Sequence, residues 1–173
     1  MCGFVGFTNT QNDSNKIIEA MMDKIRHRGP DSGGKHVDGD IALGFRRLSI
    51  IDITSFGDQP IYNEDSSKIL LFNGEIYNYR SIRNELLAAG HKFKTNTDSE
   101  VLLHGYEEYG EKLLGKLRGM FAFVIWDTVK KELFGARDFF GIKPMYYAQM
   151  NGTFMFGSEI KAFLVHPDFK KEL

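Results

Sequence analysis

Residues 1–8 read MCGFVGFT. A short apolar run with small residues interspersed predicts a buried strand over 2–8 whose backbone is closely approached by something else. Cys2 is the only cysteine in the 173-residue chain and sits directly behind the initiator methionine, so it can make no internal disulfide. A lone cysteine is ordinarily a small buried hydrophobe. At position 2, followed by the small Gly3, a second reading stands beside that one: a thiol nucleophile whose base is its own α-amine, freed by removal of Met1. An unperturbed α-amino group titrates at about 7.7–8.0, so it can accept the thiol proton and later return it to a leaving amine.

Outward from this stretch, the sequence 12–29, NDSNKIIEAMMDKIRHRG, places Ile17, Ile18, Met21, Met22 and Ile25 at helical spacing, with Ser14 as the expected cap and Gly29-Pro30 as the stop. IALGFRRLSIID (41–52) reads as a strand. In LLFNGEIYNY (70–79), Asn73-Gly74 between apolar residues predicts a tight hairpin. Two amphipathic helices follow, one over 78–89 stopped by Gly90, the other opening on the capping-box pattern Thr97-Asp98-Ser99-Glu100. After a short helical stretch at 111–117 the pattern turns to strands at 120–127, 132–138, 145–150 and 153–158, with turns at Lys130-Lys131 and Asn151-Gly152, and a last helix from 159. Strands at both ends with helices between them predict an α+β layered domain, because sheet faces and helix faces must bury each other. RHRGPDSGG (26–34) reads as a loop, and it is not a phosphate loop, since GxxxxGK[ST] is absent.

Totals narrow the function. A chain of this length, 42% hydrophobic and 13% aromatic, is long enough for one substantial domain. With 22 basic against 23 acidic residues and a net charge of −1, nothing electrostatic points to nucleic acid or an anionic membrane, so the ligand is expected to be small. No apolar run approaches the roughly 20 residues of a membrane span and no signal sequence is visible, so the cytoplasm is the expected address. No Cys or His pair stands at metal-ligand spacing.

Acyl chemistry by a thiol needs donors aimed at the oxygen that becomes negative. Asn73, Gly74 and Glu75 could supply a side-chain amide and a backbone N–H, although a hairpin alone also explains Asn-Gly. Strand alternation puts Arg47 on the face of Leu43, Phe45 and Ile51, where a guanidinium needs an anion, such as a substrate carboxylate. Arg46 falls on the opposite face beside Ala42 and Leu48, so the pattern leaves open which arginine points inward, and an internal salt bridge is the ordinary alternative. Asp98 in the first turn of a helix suits the helix dipole and could equally meet a ligand ammonium.

Taken together, MCGFVGF, RHRGPD, RLSIID, the Gln59-Pro60 pair, NGEIYN, TDSEVLL, GMFAFVIWD, RDFFGIKPMYY and FGSEIKA resemble, in order and across nearly the whole chain, the glutaminase domain of class II glutamine amidotransferases. These are N-terminal nucleophile hydrolases, and the glutamine-dependent asparagine synthetases are closest in pattern. The resemblance implies a four-layer αββα sandwich in which Cys2 attacks the side-chain amide of L-glutamine. It implies that Asn73 and Gly74 form the oxyanion hole, that Arg47 holds the substrate carboxylate, and that Glu75 and Asp98 receive its ammonium. Leu48, Ile50 and Ile51 would line the glutamine site, and Arg28 would steady it on closing. The glutaminase reaction needs no metal or organic cofactor. ATP and Mg²⁺ are expected only in a C-terminal synthetase domain, whose SGGxDS loop is missing here; EIKAFLVHPDFKKEL (159–173) stops where relatives continue, so a truncated amidotransferase half with uncoupled activity is expected. Relatives are often dimers, which makes a homodimer an expectation too. A catalytically silent glutamine-binding module is the rival from another class, and an N-terminal hydrolase acting on a different amide is a third reading.

Overall fold

A computed structural model describes residues 2–10, 13–48 and 58–171. The chain forms two compact units, Met1–Pro60 with Pro144–Leu173, and Ile61–Lys143. Each is an antiparallel sheet with its own helical segments and its own apolar cluster, as the α+β reading expects.

In the first unit, β1 (Gly3–Thr8), β2 (Ser32–Val37), β3 (Ile41–Arg47), β8 (Tyr146–Met150) and β9 (Thr153–Gly157) pair in the order β2-β3-β1-β9-β8. Helix α1 (Ser14–Lys24) lays Ile18, Met21 and Met22, with Ile25 just beyond it, against Val5, Phe7, Ala42 and Met155. This is the stripe that the 3.6-residue period predicts. Truncating one such residue, Ile18→Ala, would cost about 2–5 kcal/mol through lost burial and the cavity left behind. Alternation then sends Phe4, Leu43 and Phe45 to the opposite face, where they too are buried.

In the second unit, β4 (Ile61–Tyr62), β5 (Lys68–Ile76), β6 (Gly119–Asp127) and β7 (Glu132–Arg137) pair in sequence order. Helices α2 (Tyr79–Ala88) and α3 (Asp98–Tyr109) and the short α4 (Leu113–Lys116) complete it. Ile82 and Leu86 of α2 and Val101, Leu102 and Leu103 of α3 pack on Leu70, Phe72, Phe121, Phe123 and Ile125. Thr97 caps α3 by accepting the Glu100 N–H. The Glu100 carboxylate reaches beyond the cap, accepting the N–H groups of Lys94 and Thr95, each at 2.7 Å, and the Thr95 hydroxyl at 2.6 Å.

Four expectations are corrected. Asn73-Gly74 is not a hairpin turn: β5 runs straight through it, with Asn73 opposite Ala122 and Gly74 opposite Phe121, and neither residue has positive φ. Glycine is required there by close approach instead, since a Cβ would meet the Met120 carbonyl oxygen and lie 2.7 Å from the Phe121 Cα. The loop expected over 26–34 contains a 3₁₀ turn at Arg26–Arg28 and the start of β2, an edge strand with no apolar alternation to betray it. Asp13, not Ser14, occupies the cap position of α1, and no side chain caps it. The last helix is a 3₁₀ segment, Ile160–Val165, that ends before Pro167.

Candidate active site

In the first unit, the register Gly3↔Arg46, extended by one residue, sets Cys2 opposite Arg47. Alternation places both side chains on the face away from α1. Leu48 brackets the sulfur: its N–H donates to Cys2 Sγ at 3.4 Å, and the thiol lies 3.7 Å from its carbonyl oxygen. Cys2 is half-buried. Arg28 donates from Nε to the Cys2 carbonyl at 3.0 Å and from Nη1 to Glu159 Oε1 at 3.2 Å. Its side chain runs so close to the strand that a Cβ on Gly3 would lie 2.9 Å from Arg28 Cδ.

Both arginines of β3 are ion-paired, on opposite faces. Arg46 meets Asp23 of α1 at 2.9 Å. Arg47, 8% exposed, donates from Nη1 to Asp58 Oδ1 at 2.9 Å. Arg47 is thus the arginine on the face of Leu43 and Phe45, and an internal salt bridge does meet its charge. Asp58 itself is half-exposed and also accepts from the Ser32 hydroxyl at 3.2 Å.

In the second unit, Asn73 and Glu75 share the face of β5 turned away from the helices, because Leu70, Phe72 and Ile76 take the other. Asn73 is 3% exposed, and its Nδ2 has no hydrogen-bond partner among the described residues. Orphaned buried donors are uncommon and point to a missing acceptor. Asp98 accepts the Ile76 N–H at 3.0 Å. Burial pushes the Asp98 carboxyl above the ordinary aspartate range; backbone N–H donors, that of Ile76 first, pull it down, and the neighbouring Glu75 carboxylate pushes it up again.

The structure therefore gathers Cys2, Arg28, Arg47 and Leu48 in one unit, and Asn73, Gly74, Glu75 and Asp98 in the other. Met1, Ile50 and Ile51 lie outside the described residues. Sequence reasoning missed Glu159, although it sits within the FGSEIKA motif. Its burial works to raise its pKa, but contacts from His27 at 2.8 Å, Lys161 at 3.1 Å and Arg28 outweigh that and hold it below the usual glutamate range.

His91, His104 and Glu107 bring one ligand atom each within 4.8 Å of the others, a cluster that a spacing of thirteen residues between the histidines concealed. It is accounted for without an ion. Glu107 Oε2 meets His104 Nδ1 at 2.8 Å, Glu107 Oε1 accepts from Asn63 Nδ2 at 2.7 Å, and His91 Nε2 meets Glu108 at 3.1 Å. The network braces the 90–97 connection against α3. Burial pulls the His104 pKa down, but Glu107, Glu64 and Glu100 outweigh it and leave it raised.

Comparison with known proteins identifies the family of the chain. The family model described as "Glutamine amidotransferase domain" matches residues 1–173. The chain is 49% identical over 170 residues to Asparagine synthetase [glutamine-hydrolyzing] 1 of Bacillus subtilis, covering 95% of this chain and 27% of that protein. It is 46% identical over 167 residues to Asparagine synthetase [glutamine-hydrolyzing] 2 of Arabidopsis thaliana, covering 94% and 28%. The chain thus spans about a quarter of the length of these curated relatives. Among solved structures, the glutamine phosphoribosylpyrophosphate amidotransferase of B. subtilis superposes with a TM-score of 0.80 at 23% identity, over 95% of this chain and 43% of that one. The chain belongs to the glutamine amidotransferase domain family and has the α+β fold of the N-terminal nucleophile hydrolases.

Proposed function

We propose that the chain hydrolyses L-glutamine to glutamate and ammonia, with Cys2 as nucleophile. Removal of Met1 leaves the Cys2 α-amine to take the thiol proton. The thiolate attacks the side-chain amide carbon, and the oxygen that becomes negative is met by the Asn73 amide and the Gly74 N–H. Collapse expels ammonia, protonated by the α-ammonium. Water then cleaves the glutamyl thioester, releasing glutamate and restoring the thiol. Arg47 would take the substrate carboxylate in place of, or alongside, Asp58. Glu75 and Asp98 would take the ammonium, which offsets the cost of two neighbouring carboxylates. These steps use side chains and water, without metal or organic cofactor.

The observation that supports this reading above the others is the buried Asn73 Nδ2, which has no hydrogen-bond partner among the described residues. A donor held dry in a sheet is costly at rest and most effective where negative charge develops. A silent glutamine-binding module needs no such donor.

Ammonia would pass to a synthetase portion that makes asparagine, as the names of the relatives suggest; the family resemblance adds ATP and Mg²⁺ to that portion. A docking face for that portion is the 138–143 turn. Asp138 pins it by accepting N–H groups from Phe121, Ile142 and Lys143, while Phe139 and Phe140 stand 95% and 83% exposed. No helix among the described residues is long and apolar enough to cross a membrane; a cytoplasmic address and a homodimer belong to the same proposal.

The test is to incubate the Met1-free chain with L-glutamine and quantify glutamate and ammonia. Equimolar products, lost in Cys2→Ala with the circular dichroism spectrum unchanged, are expected. Equal turnover in both proteins would overturn the mechanism.

A further inference from the structure

Cys2 lies one residue before the β1–β3 ladder, whose pairs begin at Gly3, so the extended register gives its face but no ladder pair ties it down. Two contacts fix it instead: the Leu48 peptide on the sulfur and the Arg28 guanidinium on the carbonyl. Arg28 in turn needs an anchor, because a long flexible side chain holds a geometry only where its other donors are met. Glu159 supplies that anchor at Nη1.

The position of Glu159 is itself tightly set. The adjacent Ser158 is fully buried and stitches the end of β9 to β1 twice, accepting the Phe4 N–H on Oγ at 3.0 Å and donating its own N–H to the Phe4 carbonyl at 2.8 Å. Phe4 is two residues from the thiol. The carboxylate of Glu159 is thereby referenced to the strand that carries Cys2, and His27 and Lys161 hold it from the outer side.

On the reading of Cys2 as nucleophile, we propose that Glu159 is a positioning residue for the attacking thiol, acting through Arg28. Glu159 touches neither the sulfur nor, in this scheme, the substrate. Its carboxylate orients the guanidinium, the guanidinium orients the Cys2 carbonyl, and that peptide aims Sγ. Removing the anchor lets the thiol leave its line of attack, and misplacement on the order of 1 Å costs up to about a hundredfold in rate.

The test compares wild type, Glu159→Gln, Arg28→Lys and the double variant, each with Met1 removed. Glu159→Gln is expected to lower kcat about ten- to hundredfold, leave the KM for glutamine within about twofold because no substrate contact is lost, and slow iodoacetamide alkylation of Cys2 to a similar degree. Non-additivity of the double variant, costing no more than Arg28→Lys alone, shows that the effect passes through Arg28. Wild-type kcat and alkylation rate in Glu159→Gln would overturn the proposal, as would a loss confined to KM. Should that variant not fold, Glu159→Asp, which withdraws the carboxylate by one methylene, is read the same way: slowed alkylation supports the proposal and an unchanged rate overturns it. Full turnover by Cys2→Ala would instead fail the nucleophile reading itself.

Discussion

Asp98 accepts the backbone N–H of Ile76 at 3.0 Å, which ties the first residue of α3 to the last residue of β5 and brings two carboxylates, Asp98 and Glu75, under each other's influence. The raised pKa of Asp98 means that its ionised form is disfavoured in the folded chain. The stabilising contribution of its neutral form is therefore fully present below the unfolded aspartate value of 3.8 and is lost as pH rises through the higher folded value.

For Asp98→Asn the expected outcome is a trade. The amide oxygen can still accept the Ile76 N–H, so the fold gains stability at neutral pH, read as a higher urea midpoint than wild type. Glutamine loses a charged partner for its ammonium, which at about 1.5–3 kcal/mol raises KM roughly 10- to 150-fold. A variant with unchanged KM would remove Asp98 from the ammonium site.

Asn73→Ala should separate chemistry from stability in the opposite way. The loss of one oxyanion donor lowers kcat about 10²–10³-fold. Folding stability does not fall by the cost of a broken hydrogen bond, because the deleted Nδ2 has no partner among the described residues. Steady-state kinetics beside denaturant melts measure both, and a kcat within tenfold of wild type would argue against the assigned role.

His104 gives a pH signature. Its folded pKa is raised above 6.5 by the carboxylates around it, so the stability it contributes is complete below 6.5 and disappears as pH climbs through the folded value. Urea midpoints between about pH 6 and pH 9 should fall for this reason, and Glu107→Gln, which removes the carboxylate closest to the ring at 2.8 Å, should flatten the fall. An unchanged slope in the variant would show that the titration lies elsewhere.

Paired substitution of Phe139 and Phe140 by Ser removes the two most exposed aromatics among the described residues. Because the Asp138 contacts that hold the turn are backbone donors, stability should move by no more than about 0.5 kcal/mol. Glutaminase kcat should stay within about twofold, while association with a separately produced synthetase portion, read in sedimentation experiments, weakens. A large drop in kcat would place the turn in the chemistry rather than on a docking face.

What the sequence reveals of the structure depends on whether a residue's role imposes a local pattern. Ile18, Met21, Met22 and Ile25 announce α1 because one apolar stripe at helical spacing has one solution, and Thr97 with Glu100 announces the start of α3. The strand β2 was silent, since an edge strand of Ser-Gly-Gly-Lys-His-Val buries nothing that would impose alternation. Asn73-Gly74 misled because two mechanisms share one dipeptide: positive φ in turns, and close backbone approach within a sheet. Cys2 stands out as a candidate nucleophile by its position alone. The Arg28–Glu159 pair beside it leaves no local pattern, because the two residues lie 131 positions apart.

The placement of Asn73, Gly74 and Glu75 on one interior strand constrains how this domain can change over evolutionary time. Deleting a single residue anywhere between 68 and 72 would rotate Asn73 to the helical side, whereas length changes in the turn that precedes β5, near 63–67, leave the pleat in phase. Natural variation in chain length should therefore accumulate in the connections and leave this strand with a fixed residue count.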